Sequence, residues 1–296
     1  MTVQQGKQLV KNALYRTIGE TSAALGLAAN GETVLRVLMY HKINDIPDNP
    51  TTVPVGHFDD QLAQLGELGY RVVDLDAVLD HYVLGTPLPE KAVLITFDDG
   101  YRDIVENALP VLQKHGYPAV IFVPVAFMED PMPLPHEMHL AERGVRNPTL
   151  DWGLVRELDA AGVRVESHGI AHRPLAEVAL DEAVREIAVS KLKLEEQLGR
   201  PVRAYAYVKG SELHFHPVHE SLLKQAGYDI AFTSISRANG SHEDPFRLGR
   251  YNVEPYAART FELVLAGACD LIALKDTVAG THARRLFNQA LGTSTR

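Results

Sequence analysis

The chain has 296 residues, 46% of them hydrophobic, a formal net charge of −9 and one cysteine, Cys269. That is enough apolar material for one substantial core and requires no second domain. The negative balance argues against a broad phosphate-binding face and hence against nucleic acid, a lone cysteine excludes an internal disulfide, and no stretch approaches the ~20 apolar residues of a bilayer span.

Residues 1–33 read as a helical extension. Leu9, Val10, Leu14, Ile18 and Leu25 fall roughly on one side of a helix over 7–29, with Lys7, Lys11 and Arg16 near its start. That face suits packing on the domain or on another chain, with peripheral contact to a membrane surface as the alternative. Nothing here resembles a secretory signal, so a cytoplasmic location is expected, at the inner membrane face if the helix lies on lipid.

From residue 34 onward, apolar runs of strand length alternate with helix-compatible stretches. The runs are VLRVLMY, RVVDL, AVLIT, AVIFVPV, VRVES, RAYAYV and DIAFTS, and the alternation predicts a mostly parallel sheet with α/β architecture. Residues 129–149, EDPMPLPHEMHLAERGVRNPT, are rich in proline and charge and read as an irregular insertion of the kind that shapes a cleft. His136 and His139 lie in it without an assigned role. Trp152 opens a predicted helix and reads as core packing. Residues 260–291 look helical, followed by a frayed TSTR end.

Two stretches carry the chemistry. The strand KAVLITF at 91–97 ends on Asp98-Asp99-Gly100, and the strand before Ser167 leads into SHGIAH, with His168 and His172 four apart. Adjacent residues on extended backbone point in opposite directions, so one aspartate can bind metal while the other stays free to handle a proton. A carboxylate and two imidazoles suit zinc or a similar divalent ion and leave coordination positions open, as in a catalytic site. Carboxylates at the C-terminal tip of a strand are where α/β enzymes usually keep their chemistry. A third histidine group, His214, His216 and His219 in SELHFHPVHE, is expected to be a solvated loop that picks up metal adventitiously, or else an edge of the cleft.

These motifs, in this order, resemble the polysaccharide deacetylases of the NodB-like type over residues 35–255. VLRVLMYHKI resembles the family's opening strand, TFDDGYRD its first motif, SHGIAHRPL its second and AYAYVKG at 204–210 its third; AGYDIAFTS and DPFRLGRYNVEP close the domain. The resemblance implies a distorted (β/α) barrel of about seven parallel strands over 34–256, with residues 257–296 as a C-terminal helical extension. It implies that Asp99, His168 and His172 hold a divalent metal, zinc being the first expectation, and that Asp98 is the general base. The Leu-x-His motif that supplies the acid in many members is absent from LIALKD at 271–276. The branch with a Tyr-His strand ending then implies His41 as the acid, the alternative being a capping or supporting histidine.

The third motif departs from the branch's usual Phe-Ala-Tyr-Pro-Tyr-Gly, reading Tyr205-Ala206-Tyr207-Val208-Lys209-Gly210. Tyr207, Val208 and Lys209 form the expected oxyanion loop, where Val208 in place of proline loosens φ and Lys209 adds a positive charge near the acyl group. Arg250 is expected to replace the arginine that orients the base in other members, a surface arginine being the alternative. The expected activity is removal of an acetyl group from the nitrogen of an amino sugar in a glycan or glycan precursor. An O-acetyl ester or non-sugar amide is the alternative substrate, and a glycan-binding protein without chemistry is the rival of another class.

Overall fold

The computed structural model describes residues 3–26, 35–130, 132–276 and 280. Strands β1 (Leu35–Tyr40), β4 (Arg71–Val72), β5 (Ala92–Phe97), β6 (Ala119–Val123), β7 (Val163–Ser167), β8 (Ala204–Ala206), β9 (Ile230–Phe232) and β10 (Tyr251–Asn252) form one eight-stranded sheet. Its order is β10-β1-β5-β6-β7-β8-β9, and all of its ladders are parallel. β4 takes the first half of one edge of β5, at Ala92 and Val93, and β6 takes the second half, at Thr96 and Phe97. A separate two-stranded sheet pairs β2 (Lys42–Ile43) with β3 (Thr52–Val53).

The seven strands expected from the sequence all form, and the eighth, β10, closes the curve. Leu248 bridges Phe232 of β9, and three residues later Tyr251 pairs with Leu38 of β1, so one short segment touches both edges of the sheet. The result is the distorted α/β barrel. Two-residue periodicity divides the strands into two faces. Leu35, Val37, Ala92, Leu94, Val120, Phe122, Ala204, Ala206, Ile230 and Phe232 fill the inside, whereas Leu38, Tyr40, Val93, Ile95, Phe97, Ile121, Val165 and Ala231 face the outer helices. Both faces are dry, which is why the strands read as continuous apolar runs.

The outer layer holds α2 (Val55–Glu67), α4 (Leu109–His115), α5 (Ala126–Glu129), α6 (Met138–Glu142), α7 (Trp152–Ala160), α8 (Leu180–Leu198), α9 (Pro217–Ala226) and α10 (Ala258–Leu265), after the N-terminal α1 (Val3–Ala24), whereas α3 (Leu75–Leu79) packs Leu75, Val78 and Leu79 into the inner cluster. α7 starts where Asp151 accepts the N–H of Leu154, and Trp152 packs half-buried against the core. The 129–149 insertion is more ordered than its composition implies: a 3-10 turn at Pro135–Glu137 runs into α6, with Leu134, Glu137 and Leu140 buried.

Two expectations at the chain ends are corrected. α1 docks through Tyr15, Gly19 and Ser22, with Gly19 closing on Leu263 and Cys269, while Leu9, Val10, Leu14 and Leu25 are more than half exposed. A side chain at position 19 would meet the Cβ of Leu263 at 3.0 Å, so close helix approach decides the docked face rather than apolar count. The expected helix over 260–291 stops at Leu265: Gly267 turns the chain at φ +76, where an added Cβ would sit 2.8 Å from Arg36, and a 3-10 segment Asp270–Asp276 follows. Most of the remaining span to 291 lies outside the described residues. Among the described residues no helix is long and apolar enough to cross a membrane.

Candidate active site and metal centre

Parallel strands deliver their C-terminal ends to one rim. There His41 follows β1, Asp98 and Asp99 follow β5, His168 follows β7 and Tyr207 follows β8, and they line a cavity of about 450 Å³ together with Arg250, Val208 and Lys209. β5 ends at Phe97, and a left-handed turn at Asp99 sets the two aspartates apart. Asp98 continues the inward series Ala92, Leu94, Thr96 and meets Arg250, whose Nη1 and Nη2 donate to Oδ1 and Oδ2 at 2.6 and 2.7 Å. Arg250 is fully buried, so the surface alternative for this residue fails. Its Nε also donates to the carbonyl of Thr233 (2.9 Å), and its guanidinium lies over Phe122. A planar fork held in this way fixes the plane of the carboxylate it grips. Burial pushes the Asp98 carboxyl up, but the charges of Arg250 and His168 and the Arg250 hydrogen bonds outweigh it, leaving the group below its ordinary range.

Asp99 turns away at φ +75 and faces the second motif. His172 Nε2 lies 2.8 Å and His168 Nε2 3.5 Å from Asp99 Oδ1. One donor atom from each of the three residues falls within 4.8 Å of the others. His168 Nδ1 donates to the carbonyl of Ala206 at 2.8 Å, which directs the proton to that nitrogen and the Nε2 lone pair toward Asp99. Metal-binding histidines are oriented by such a bond, so the donor set fits a divalent ion. Burial raises Asp99, yet His172 and His168 drive it well below the ordinary carboxylate range; the same carboxylates push His168 up against the opposing effect of burial. An ionised, buried carboxylate flanked by two imidazole nitrogens attracts cations.

The loop between the two histidines is clamped from α8. Buried Glu186 accepts the N–H of Ile170 (2.5 Å) and of Ala171 (3.1 Å). Gly169 sits at φ +82 where a Cβ would lie 2.8 Å from Glu186, so only glycine lets the clamp close. The third-motif loop is as tightly built. Tyr207 is buried, stacks on Phe215 at 4.2 Å and commits its own N–H to the carbonyl of Phe232. Lys209 does not reach inward: its ammonium spans the mouth to Glu177 at 3.0 Å. His41 borders the cavity, and burial pulls its pKa down against the opposing charges of Asp99 and Asp98.

The histidine-rich stretch 214–219 is neither a loose loop nor a metal cluster. His214 Nδ1 pairs with Ser211 Oγ at 2.7 Å, and His219 Nδ1 accepts the N–H of His216 at 3.0 Å, closing the first turn of α9. Two residues at the site had no signal of their own in the sequence. Glu186 reads as one more acid on an amphipathic helix. His136, from the insertion, brings Nε2 to 3.7 Å from Asp99 Oδ2 and its ring centroid to 5.1 Å from that of His172. The only pointer to it is that a proline-rich insertion follows β6 at the same rim.

The polysaccharide deacetylase family profile matches residues 85–231. YxkH of Bacillus subtilis (strain 168), whose name assigns it to the polysaccharide deacetylases, is 29% identical over 258 residues, covering 86% of this chain and 84% of that protein. A poly-beta-1,6-N-acetyl-D-glucosamine N-deacetylase of Escherichia coli (strain K12) is 37% identical over 100 residues, 33% of this chain and 15% of that protein. Among solved structures, IcaB from Ammonifex degensii superposes with a TM-score of 0.67 at 25% identity over 81% of this chain and 98% of that one.

Proposed function

The chain belongs to the polysaccharide deacetylase family, whose members are hydrolases of amide bonds, and from that premise we propose that it is a metal-dependent deacetylase removing the N-acetyl group of an amino sugar in a glycan. The observation that carries this reading is the division of labour between the two aspartates: Asp98 gripped by Arg250, Asp99 facing His168 and His172, both at one cavity. Asp99, His168 and His172 would hold a divalent ion, zinc first, which when bound supplies Lewis-acid polarisation of the acyl oxygen and of the attacking water. Asp98 takes a proton from that water as its oxygen attacks the acyl carbon. Arg250 keeps the carboxylate ionised and aimed, and the loop N–H of Val208 or Lys209 donates to the developing oxyanion. His41, at the same cavity, returns a proton to the departing amine.

The likeness to the poly-N-acetylglucosamine enzyme favours a β-linked N-acetylglucosamine polymer as the first substrate to offer. A second reading, an O-acetyl ester or a non-sugar amide, draws support from the altered loop and the Lys209–Glu177 pair across the cavity mouth. Acetate release from N-acetylated and O-acetylated glucosamine oligomers, before and after chelation and reloading with zinc, tests both. Release from the N-acetyl substrate only, lost on chelation and restored by metal, is the expected result; preference for the O-acetyl substrate selects the second reading.

A further inference from the structure

The insertion between α5 and α7 is fastened from below by a buried polar network. Lys42, fully buried on β2, pairs with Glu137 and donates to Asn49 at 2.9 Å, and the other carboxyl oxygen of Glu137 accepts from Asn147 at 3.0 Å. The Lys42 ammonium also lies 5.2 Å from the centre of the Tyr101 ring. A buried ion pair contributes little net stability, but it fixes register, here that of the turn Pro135–Glu137 over the site.

That register places His136. Its Nε2 shares a hydrogen bond with the Tyr101 hydroxyl at 3.2 Å and stands 3.7 Å from Asp99 Oδ2. The two oxygens of Asp99 have separate neighbours: Oδ1 faces His172 and His168, and Oδ2 faces His136, whose ring Tyr101 holds.

We propose that His136, held by the Tyr101 hydroxyl, is a positioning residue for the metal carboxylate, pairing with Oδ2 so that Oδ1 is left to the ion, with the Lys42–Glu137 pair as the latch that holds His136 there. This rests on the reading of Asp99, His168 and His172 as the metal ligands. Carboxylate ligands need such outer partners, and removing one costs metal affinity without touching the ligand set. The insertion and the metal then bind the domain in one coupled equilibrium.

The test is the affinity of the full-length protein for Zn²⁺, by competition with a chelating dye, together with the absorption spectrum of the Co²⁺ form. His136→Ala is expected to weaken binding roughly 10- to 100-fold, Tyr101→Phe to act in the same direction, and His136→Gln, which keeps an N–H donor, to recover most of the loss. The paired change Lys42→Met with Glu137→Met removes the latch without stranding a charge and should weaken binding as His136→Ala does. His168→Ala is the control. If it abolishes binding while His136→Ala stays within about twofold of the unaltered protein, the positioning role is overturned and the metal site stands. If His168→Ala binds like the unaltered protein, the ligand reading falls and takes the proposal with it. Thermal unfolding of the metal-free variants separates loss of affinity from loss of fold, and the paired Lys42→Met, Glu137→Met change carries the decision if His136→Ala unfolds, unaltered affinity in it overturning the proposal.

Discussion

Two groups of histidines in this chain look alike in sequence and do different physical work. His168 and His172 sit at the end of a buried strand, turn their Nε2 atoms toward one buried carboxylate and are oriented from behind by Ala206 and by the Glu186 clamp. His214, His216 and His219 are denser along the chain, yet they point to Ser211 and to the backbone of the first turn of α9. Histidine density does not make a metal centre. Convergence on a charge that burial has made expensive, and that a cation would neutralise, does.

The sharpest way to break this comparison is through the two aspartates that accompany the first group. Asp98→Asn is expected to keep metal and lose roughly 10²- to 10⁴-fold in turnover, whereas His168→Ala should lose both; metal content and acetate release measured side by side decide it. A near-normal rate in Asp98→Asn would assign the base elsewhere. Next in size is Arg250→Met, which leaves Asp98 buried without its partner and should cost about 3–5 kcal/mol in chemical unfolding. An Arg250→Lys protein that is stable but slow would show that the fork aims the carboxylate as well as neutralising it.

The second histidine group calls for the opposite result. Replacing His214, His216 and His219 together by alanine should leave metal content and turnover unchanged and lower stability by about 1 kcal/mol, the worth of a helix cap. Loss of the ion in that protein would erase the distinction between the two groups.

The smallest effect is in pH. Burial lowers the pKa of His219, with His216 adding to the shift, so the unfolded chain binds the proton more readily than the folded one. The stabilising contribution of neutral His219 is present above its unfolded pKa and is lost as pH falls through the lower folded value. His219→Gln keeps a side-chain acceptor for the cap, and the difference between its stability and that of the unaltered protein should shrink or reverse on acidification below about pH 6.5. A pH-independent difference would mean that the imidazole does not act through its protonation state.

Much of the fold was legible because each central strand is a continuous apolar run bounded by helix-length segments, the pattern of a parallel sheet buried on both faces. β10 escaped because two residues, Tyr251 and Asn252, carry no periodicity; their pairing is imposed by the curvature of the rest of the sheet. The docked face of α1 is likewise not readable from apolar count. Apolar residues mark a face that can be buried, but a glycine and a tyrosine that let two helices approach closely decided which face was.

Local periodicity and chain connectivity are enough to give the order of the strands and the strand-end position of Asp98, Asp99 and His168, whereas the turn that parts the two aspartates, at Asp99 φ +75, is not extended backbone. It takes the folded chain to show that Arg250 grips Asp98 from 152 positions away, that Glu186 clamps the histidine loop, that Lys209 pairs with Glu177 and that His136 stands beside Asp99. These are contacts between groups remote along the chain, and their partners are chosen by the burial of charge and by the close packing of a closed barrel, neither of which is written in any single segment.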